Sequence, residues 1–208
     1  MSFNFPNYKA DYRSYVGGTS CEMWYYIGKM QYHFLVSAGL NPDNVFLDVG
    51  CGSLRLGQYL IPMLNQGNYY GFDARKDIVL EGFNNELLYD VVKQKQPKFF
   101  FNHNFDFSFI DTFDYAMAQS LFTHLSMKHI EICLNNISNI MNNKSKFYFT
   151  FVLGDSSKNP KIEMHPGKGW RYNFTELEDA ASKFNLKLEH IGDWNHPRNQ
   201  DIVLCQKK

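Results

Sequence analysis

Cysteine is scarce and scattered in this chain. Cys21, Cys51, Cys133 and Cys205 form no CxxC pair, which argues against a disulfide framework or a zinc site. The seven histidines also lack the spacing of metal ligands, so no metal is expected. No apolar run approaches the ~20 residues that span a bilayer. The opening MSFNFPNYKADYRSY has neither the basic start nor the apolar core of a signal peptide. Charge of one sign is missing as well: Lys and Arg total 21, and Asp and Glu total 21. Non-specific binding to phosphates is carried by excess positive charge, so this balance disfavours a nucleic-acid partner. There is no internal repeat and no stretch of low complexity. The expectation is a cytoplasmic globular protein without a membrane span. Its 208 residues, 44% hydrophobic and 17% aromatic, suit one core with a small appendage.

The appendage is read as residues 1–40, an irregular aromatic arm followed by a helix over 22–38, and the main domain as 41–208. The helix carries Met23, Tyr26, Ile27, Met30, Phe34 and Leu35 near a 3.6 period, with Gly39 placed to cap its end. VFLDV (45–49) is a short apolar run stopped by Gly50-Cys51-Gly52, as a strand buried on both faces would be. Helix is predicted over 54–64, 77–95 and 126–141, and strand over 69–72, 99–101, 115–118 and 147–153. Thr175 with Glu178 forms a capping-box pattern for a helix to about 184. Strands over 186–191 and 202–205 then follow one another without a helix, which predicts an antiparallel hairpin. The alternation implies a three-layer α/β fold around a mostly parallel sheet.

Ligands of such sheets bind beyond the C-terminal strand ends, beside the first strand. Here that place is DVGCGSLRLG, from Asp48 to Gly57. Gly50 and Gly52 allow close backbone approach, and a following helix N-terminus offers free N–H groups. A dinucleotide fingerprint would want a third glycine where Arg55 stands, and the Gly-Lys-Ser/Thr of a P-loop is absent. A tight structural turn would explain the glycine pair taken alone. Asp73, ending the second strand, is suited to accept hydrogen bonds from both hydroxyls of an adenosyl ribose. The alternative for it is a helix N-cap.

Three segments, VFLDVGCGSLRLG, YYGFD and FDYAMAQSLFTHL, resemble the class I S-adenosylmethionine (SAM)-dependent methyltransferases. The likeness runs from about Asp48 to Lys207. It implies a Rossmann-like methyltransferase fold of seven strands, the last inserted antiparallel between the fifth and sixth, and SAM as cofactor. Gly50 and Gly52, with Cys51 and Arg55 in the same loop, would approach the methionine part of the cofactor. Asp48 would orient the loop and Asp73 would hold the ribose. Asp106 and Phe107 would meet adenine, and Gln119 and Ser120 would border the sulfonium. One departure stands out: the family's usual third loop glycine falls at Leu54.

Methyl transfer asks mainly for alignment and exclusion of water. An alcohol acceptor also needs a base, and His124, just past the fourth strand, is the best-placed histidine. A capping or packing histidine is the equal alternative. His103 reads as structural, and His196 as part of an ordered loop beside Arg198. The loop after the fifth strand carries Lys158, Lys161, His165, Lys168 and Arg171 against Asp155 and Glu163. This balance suggests an anionic acceptor, met by His165, Lys168 and Arg171, although a solvated loop is the alternative. Tyr25 in the aromatic arm could wall the acceptor pocket. The reading is O-methylation of a small molecule or surface-glycan component. N-methylation of a small amine or protein side chain, or a non-catalytic cofactor-binding partner subunit, are the alternatives.

Overall fold

The computed structural model of the chain describes residues 11–17, 20–162 and 169–208. Its elements are α1 (Asp11–Tyr15), α2 (Cys21–Ser37), β1 (Phe46–Val49), α3 (Gly57–Met63), β2 (Tyr69–Asp73), α4 (Lys76–Glu86) and α5 (Tyr89–Lys95). They continue with β3 (Lys98–Phe101), β4 (Tyr115–Ala118), α6 (Met127–Ile140), β5 (Lys146–Phe151), α7 (Phe174–Ser182), β6 (Leu186–Asp193) and β7 (Asp201–Lys207). The strands form one sheet in the order β3-β2-β1-β4-β5-β7-β6. The pairs β2/β3, β1/β4 and β4/β5 are parallel. β7 runs antiparallel to both β5 and β6, so the helix-free hairpin and the inserted last strand are both present.

Four local expectations need correction. The arm contains a short helix, α1, where irregular chain was expected. The helix expected from position 54 begins at Gly57, because Leu54 holds a left-handed φ of +63° that no right-handed helix accommodates. The single helix expected over 77–95 is two. Asn85 donates from its side chain to the Glu81 carbonyl at 2.7 Å, and the backbone then extends at Leu87 and Leu88. That break lets Leu87 turn into an apolar cluster with Cys51, Leu54, Val79 and Phe83. Finally, α7 is capped two residues before Thr175: the Asn173 side chain accepts from Glu176 N, and the Glu176 carboxylate accepts from Asn173 N.

The chain divides into two compact units, Met1–Asn44 with Cys51–Phe101, and Val45–Gly50 with Asn102–Lys208. The first centres on the cluster just named, which also takes in Phe99 and Phe101. The second is built on aromatic packing, with the Phe122 and Phe149 rings 4.7 Å apart, and on the buried stripe Ile130, Cys133, Leu134 and Ile137 of α6. No helix among the described residues is long and apolar enough to cross a membrane.

Candidate functional site

In the first unit the glycine loop is fixed against the end of β2. Cys51 N donates to Phe72 O at 3.0 Å, and Gly52 N donates to Asp73 Oδ2 at 2.8 Å. Gly52 holds a φ of +51°, and a Cβ there would lie 2.6 Å from Val16 Cγ1, so the arm rests on the loop at a spot only glycine leaves open. From behind, α4 presses on the same loop: a Cβ on Gly82 would stand 2.3 Å from Ser53 O. Asp73 Oδ1 accepts from Arg75 N at 2.8 Å. Burial pushes the Asp73 carboxyl above the usual aspartate range, against the N–H bonds from Arg75 and Gly52 that hold it down.

Arg55 is buried. Its Nη1 donates to Val16 O at 3.1 Å and its guanidinium lies 5.8 Å from the Trp24 ring. Arg13 stands 5.5 Å from that same indole. It forks onto Glu86 with bonds of 2.6 and 2.9 Å, and Tyr12 donates to Glu86 at 3.2 Å. This buried pair clasps α1 to α4. Tyr25, partly exposed, carries the Arg13 guanidinium 5.6 Å from its ring.

In the second unit Asp48 is buried in β1, and Gly50 holds a φ of +76°. Asp106 is exposed on a loop bracketed by Asn102, which accepts from Asp106 N at 3.0 Å and donates to Asp106 O at 2.9 Å. Its carboxylate accepts from Ser108 N, and hydrogen bonding to Ser108 holds it below the ordinary range. Phe107 is buried, with the rings of Phe105 and Phe109 6.4 and 6.3 Å away.

Past β4, Ser120 holds a φ of +57°. Its N–H donates to Thr150 Oγ1 at 2.8 Å, and its hydroxyl accepts from Gln200 Nε2 and from Gln119 Nε2, each at 2.7 Å. Thr150 donates to Gln200 Oε1 at 2.8 Å. Gln119 Nε2 also lies 3.0 Å from His196 Nε2, and Arg198 N lies 3.3 Å from the other ring nitrogen. Sequence reasoning singled out Gln119 and Ser120, passed over the Thr150 and Gln200 that bond to Ser120, and read His196 only as loop. The signal for Thr150 was a hydroxyl between two phenylalanines in the strand KFYFTF. Gln200 had no local signal.

His124 closes a 3-10 turn, Phe122–His124, and is half-buried. The next loop is tied to this turn through Trp170 N, which donates to Thr123 O, and Tyr172 Oη, which donates to Leu125 O. Arg171 is exposed, its backbone bracketed by Asn159 with two bonds of 2.8 Å. His165 and Lys168 lie outside the described residues. Beside this loop is an open cleft of about 380 Å³, with Trp170 and Tyr172 among its walls. Its charged groups are Glu131, Glu176, Asp179 and Lys183, and Lys183 is paired with Glu131 at 2.6 Å. Among the described residues, no group of three or more His, Cys, Asp or Glu could hold a metal ion.

No protein-family model matches the chain. Solved structures do resemble it. Magnesium protoporphyrin IX methyltransferase from Synechocystis PCC 6803 with bound S-adenosylhomocysteine (SAH) has a TM-score of 0.67 and 12% identity, covering 94% of this chain and 92% of that one. The same enzyme with bound SAM gives a TM-score of 0.64 and 15% identity, with both chains covered completely at 100%. A SAM-dependent methyltransferase from Clostridium acetobutylicum ATCC 824 gives 0.67 and 12%, covering 95% of this chain and 96% of that one. The chain therefore has the fold of the class I SAM-dependent methyltransferases, as the three sequence segments implied.

Proposed function

We propose that this protein is a SAM-dependent methyltransferase acting on an oxygen of a small molecule or surface-glycan component. The observation that carries the reading is the bond between Gly52 N and Asp73 Oδ2, which fixes the acid ending β2 against the glycine loop after β1. The carboxylate so placed accepts from the two ribose hydroxyls. Gly50 and Gly52, with Cys51 and Arg55, receive the methionine part, and Asp48 orients the loop. Asp106 takes the adenine amine and Phe107 packs near the ring, while Gln119 and Ser120 border the sulfonium. The arm and helix of residues 1–40 form the acceptor side, where Tyr25 contributes a wall.

Bound SAM supplies a methyl group open to in-line displacement, which leaves a neutral thioether. His124 would take the proton from the acceptor hydroxyl and so activate its oxygen as nucleophile. Arg171, with Lys168 and His165, holds an anionic group of the acceptor, Arg offering a bidentate fork and Lys a point charge. A cytoplasmic setting is supported by Cys133 and Cys205, buried thiols outside any disulfide. A second reading, N-methylation of a small amine, draws on the carboxylates of the cleft beside the β5–α7 loop, which suit a cationic ligand.

Calorimetric titration with SAM and SAH tests the reading. Both should bind, and Asp73→Ala should weaken both by about 1.5–3 kcal/mol, as for hydrogen bonds at a charged group. A wild-type chain that binds neither overturns it. Gly52→Val is a poor probe, because a Cβ at position 52 collides with Val16 whether or not ligand is bound.

A further inference from the structure

We propose that Gln200 and Thr150 are positioning residues that hold Gln119 and Ser120 for the sulfonium, and so make the protein distinguish SAM from SAH. The inference rests on the cofactor reading above and goes beyond it to residues outside that assignment.

Ser120 is a residue with a Cβ at a φ of +57°, a region that favours glycine. Such a conformation persists only where the surroundings over-determine it, and it concentrates at functional sites. Here the surroundings come from distant parts of the chain. Thr150 in β5 takes the Ser120 N–H at 2.8 Å, and Gln200, just before β7, donates to the Ser120 hydroxyl at 2.7 Å. Thr150 and Gln200 are joined to each other at 2.8 Å. Both are deeply buried, 0% and 4% exposed, and His196 beside Gln119 is 3% exposed.

Burying this many polar groups is costly unless each is paired, and an apolar core with glycine at position 120 would make the same turn without strain. A fully paired network instead fixes dipoles in direction. The Gln119 amide nitrogen points inward, to Ser120 Oγ at 2.7 Å and His196 Nε2 at 3.0 Å. The amide oxygen, the negative end of the dipole, is therefore turned away from that pair. SAM and SAH differ by one methyl group and one positive charge on sulfur. An oxygen held in place before the ligand arrives stabilises that charge without reorganising. It offers nothing comparable to the neutral thioether. Gln200 and Thr150 do not themselves touch the ligand; they act by keeping Ser120 and Gln119 in place.

The test compares the dissociation constants of SAM and SAH for the wild type, Gln200→Leu and Thr150→Val, with thermal melting of each. A merely structural role changes both ligands equally, because they share every other atom. The expected result is a SAM affinity about tenfold weaker in Gln200→Leu, with SAH affinity held within about twofold, and a smaller shift of the same sign in Thr150→Val. Equal loss for both ligands, or no change in either, overturns the proposal. A wild type that binds neither ligand overturns the cofactor reading instead. Should Gln200→Leu fail to fold, Ser120→Gly is added to relieve the backbone strain. In that double variant, SAM must remain selectively weakened for the proposal to stand.

Discussion

Leu54 shows how a single residue can depart from a motif while keeping its shape. The family's glycine falls here, and the backbone still takes the glycine-type φ of +63°. The strain is on the order of 1–3 kcal/mol. The leucine side chain is wholly buried beside Cys51 and Val79, which contributes roughly 1.5–3 kcal/mol in return. The two effects nearly cancel, so the loop retains its course without the glycine. Asp73 is the residue on which pH acts. Its carboxyl is raised by burial, so folding favours its protonated form. The stability it contributes is present below the unfolded aspartate value and is lost as pH rises through the folded one. Ribose binding has the opposite sign, since it needs the ionised carboxylate as acceptor. Acidification through the raised value should therefore shrink the gap in melting temperature between SAH-saturated and free protein. In Asp73→Asn that narrowing should disappear. A gap independent of pH in the wild type would contradict this assignment.

At the scale of elements, α7 separates two readings of its own N-terminus. Thr175 and Glu178 have the capping-box spacing, but Asn173 and Glu176 form the reciprocal pair. Two overlapping frames satisfy the same pattern, and the choice falls to where the chain leaves the preceding loop. That loop is fixed by Asn159, which brackets Arg171 two residues earlier. Asn173→Ala should cost about 1 kcal/mol of stability in denaturant titration, while Thr175→Ala should be close to neutral. The reverse ranking would restore the sequence reading. The break between α4 and α5 has a similar origin. Apolar spacing continues across it, so the pattern carries no stop, and the helix ends where Asn85 bonds the Glu81 carbonyl and Leu87 packs into the cluster with Val79 and Phe83.

Across the whole molecule, the fold was legible because hydrophobic runs and glycine stops repeat in register with the strands, and because the terminal hairpin lacks a helix. The glycine loop and its contact with Asp73 were legible for a local reason: Gly52 and Asp73 each close a strand-loop junction. The network around Ser120 was not. Thr150 and Gln200 reach it from 30 and 80 positions away, and single polar residues without periodicity leave no trace in the pattern. The loop after β5 was legible in charge alone, and the carboxylates of the neighbouring cleft come from α6 and α7, which were read only for their apolar faces.

The place of β7 between β5 and β6 also governs the order in which the chain can be completed during synthesis. β5 and β6 leave the ribosome first; β5 pairs with β4 on one side, but its other side and β6 wait for residues 201–207. Through that interval two open edges are exposed to other nascent chains. A chain terminated after Gln200 would keep every side chain assigned to the site and still lack the strand that closes those edges. It should form soluble aggregates in size-exclusion chromatography and bind no SAH; a monodisperse, binding-competent product would show that β6 can dock without β7. An interior strand is thus made after both of its neighbours, and the sheet becomes continuous only once residues 201–207 are in place.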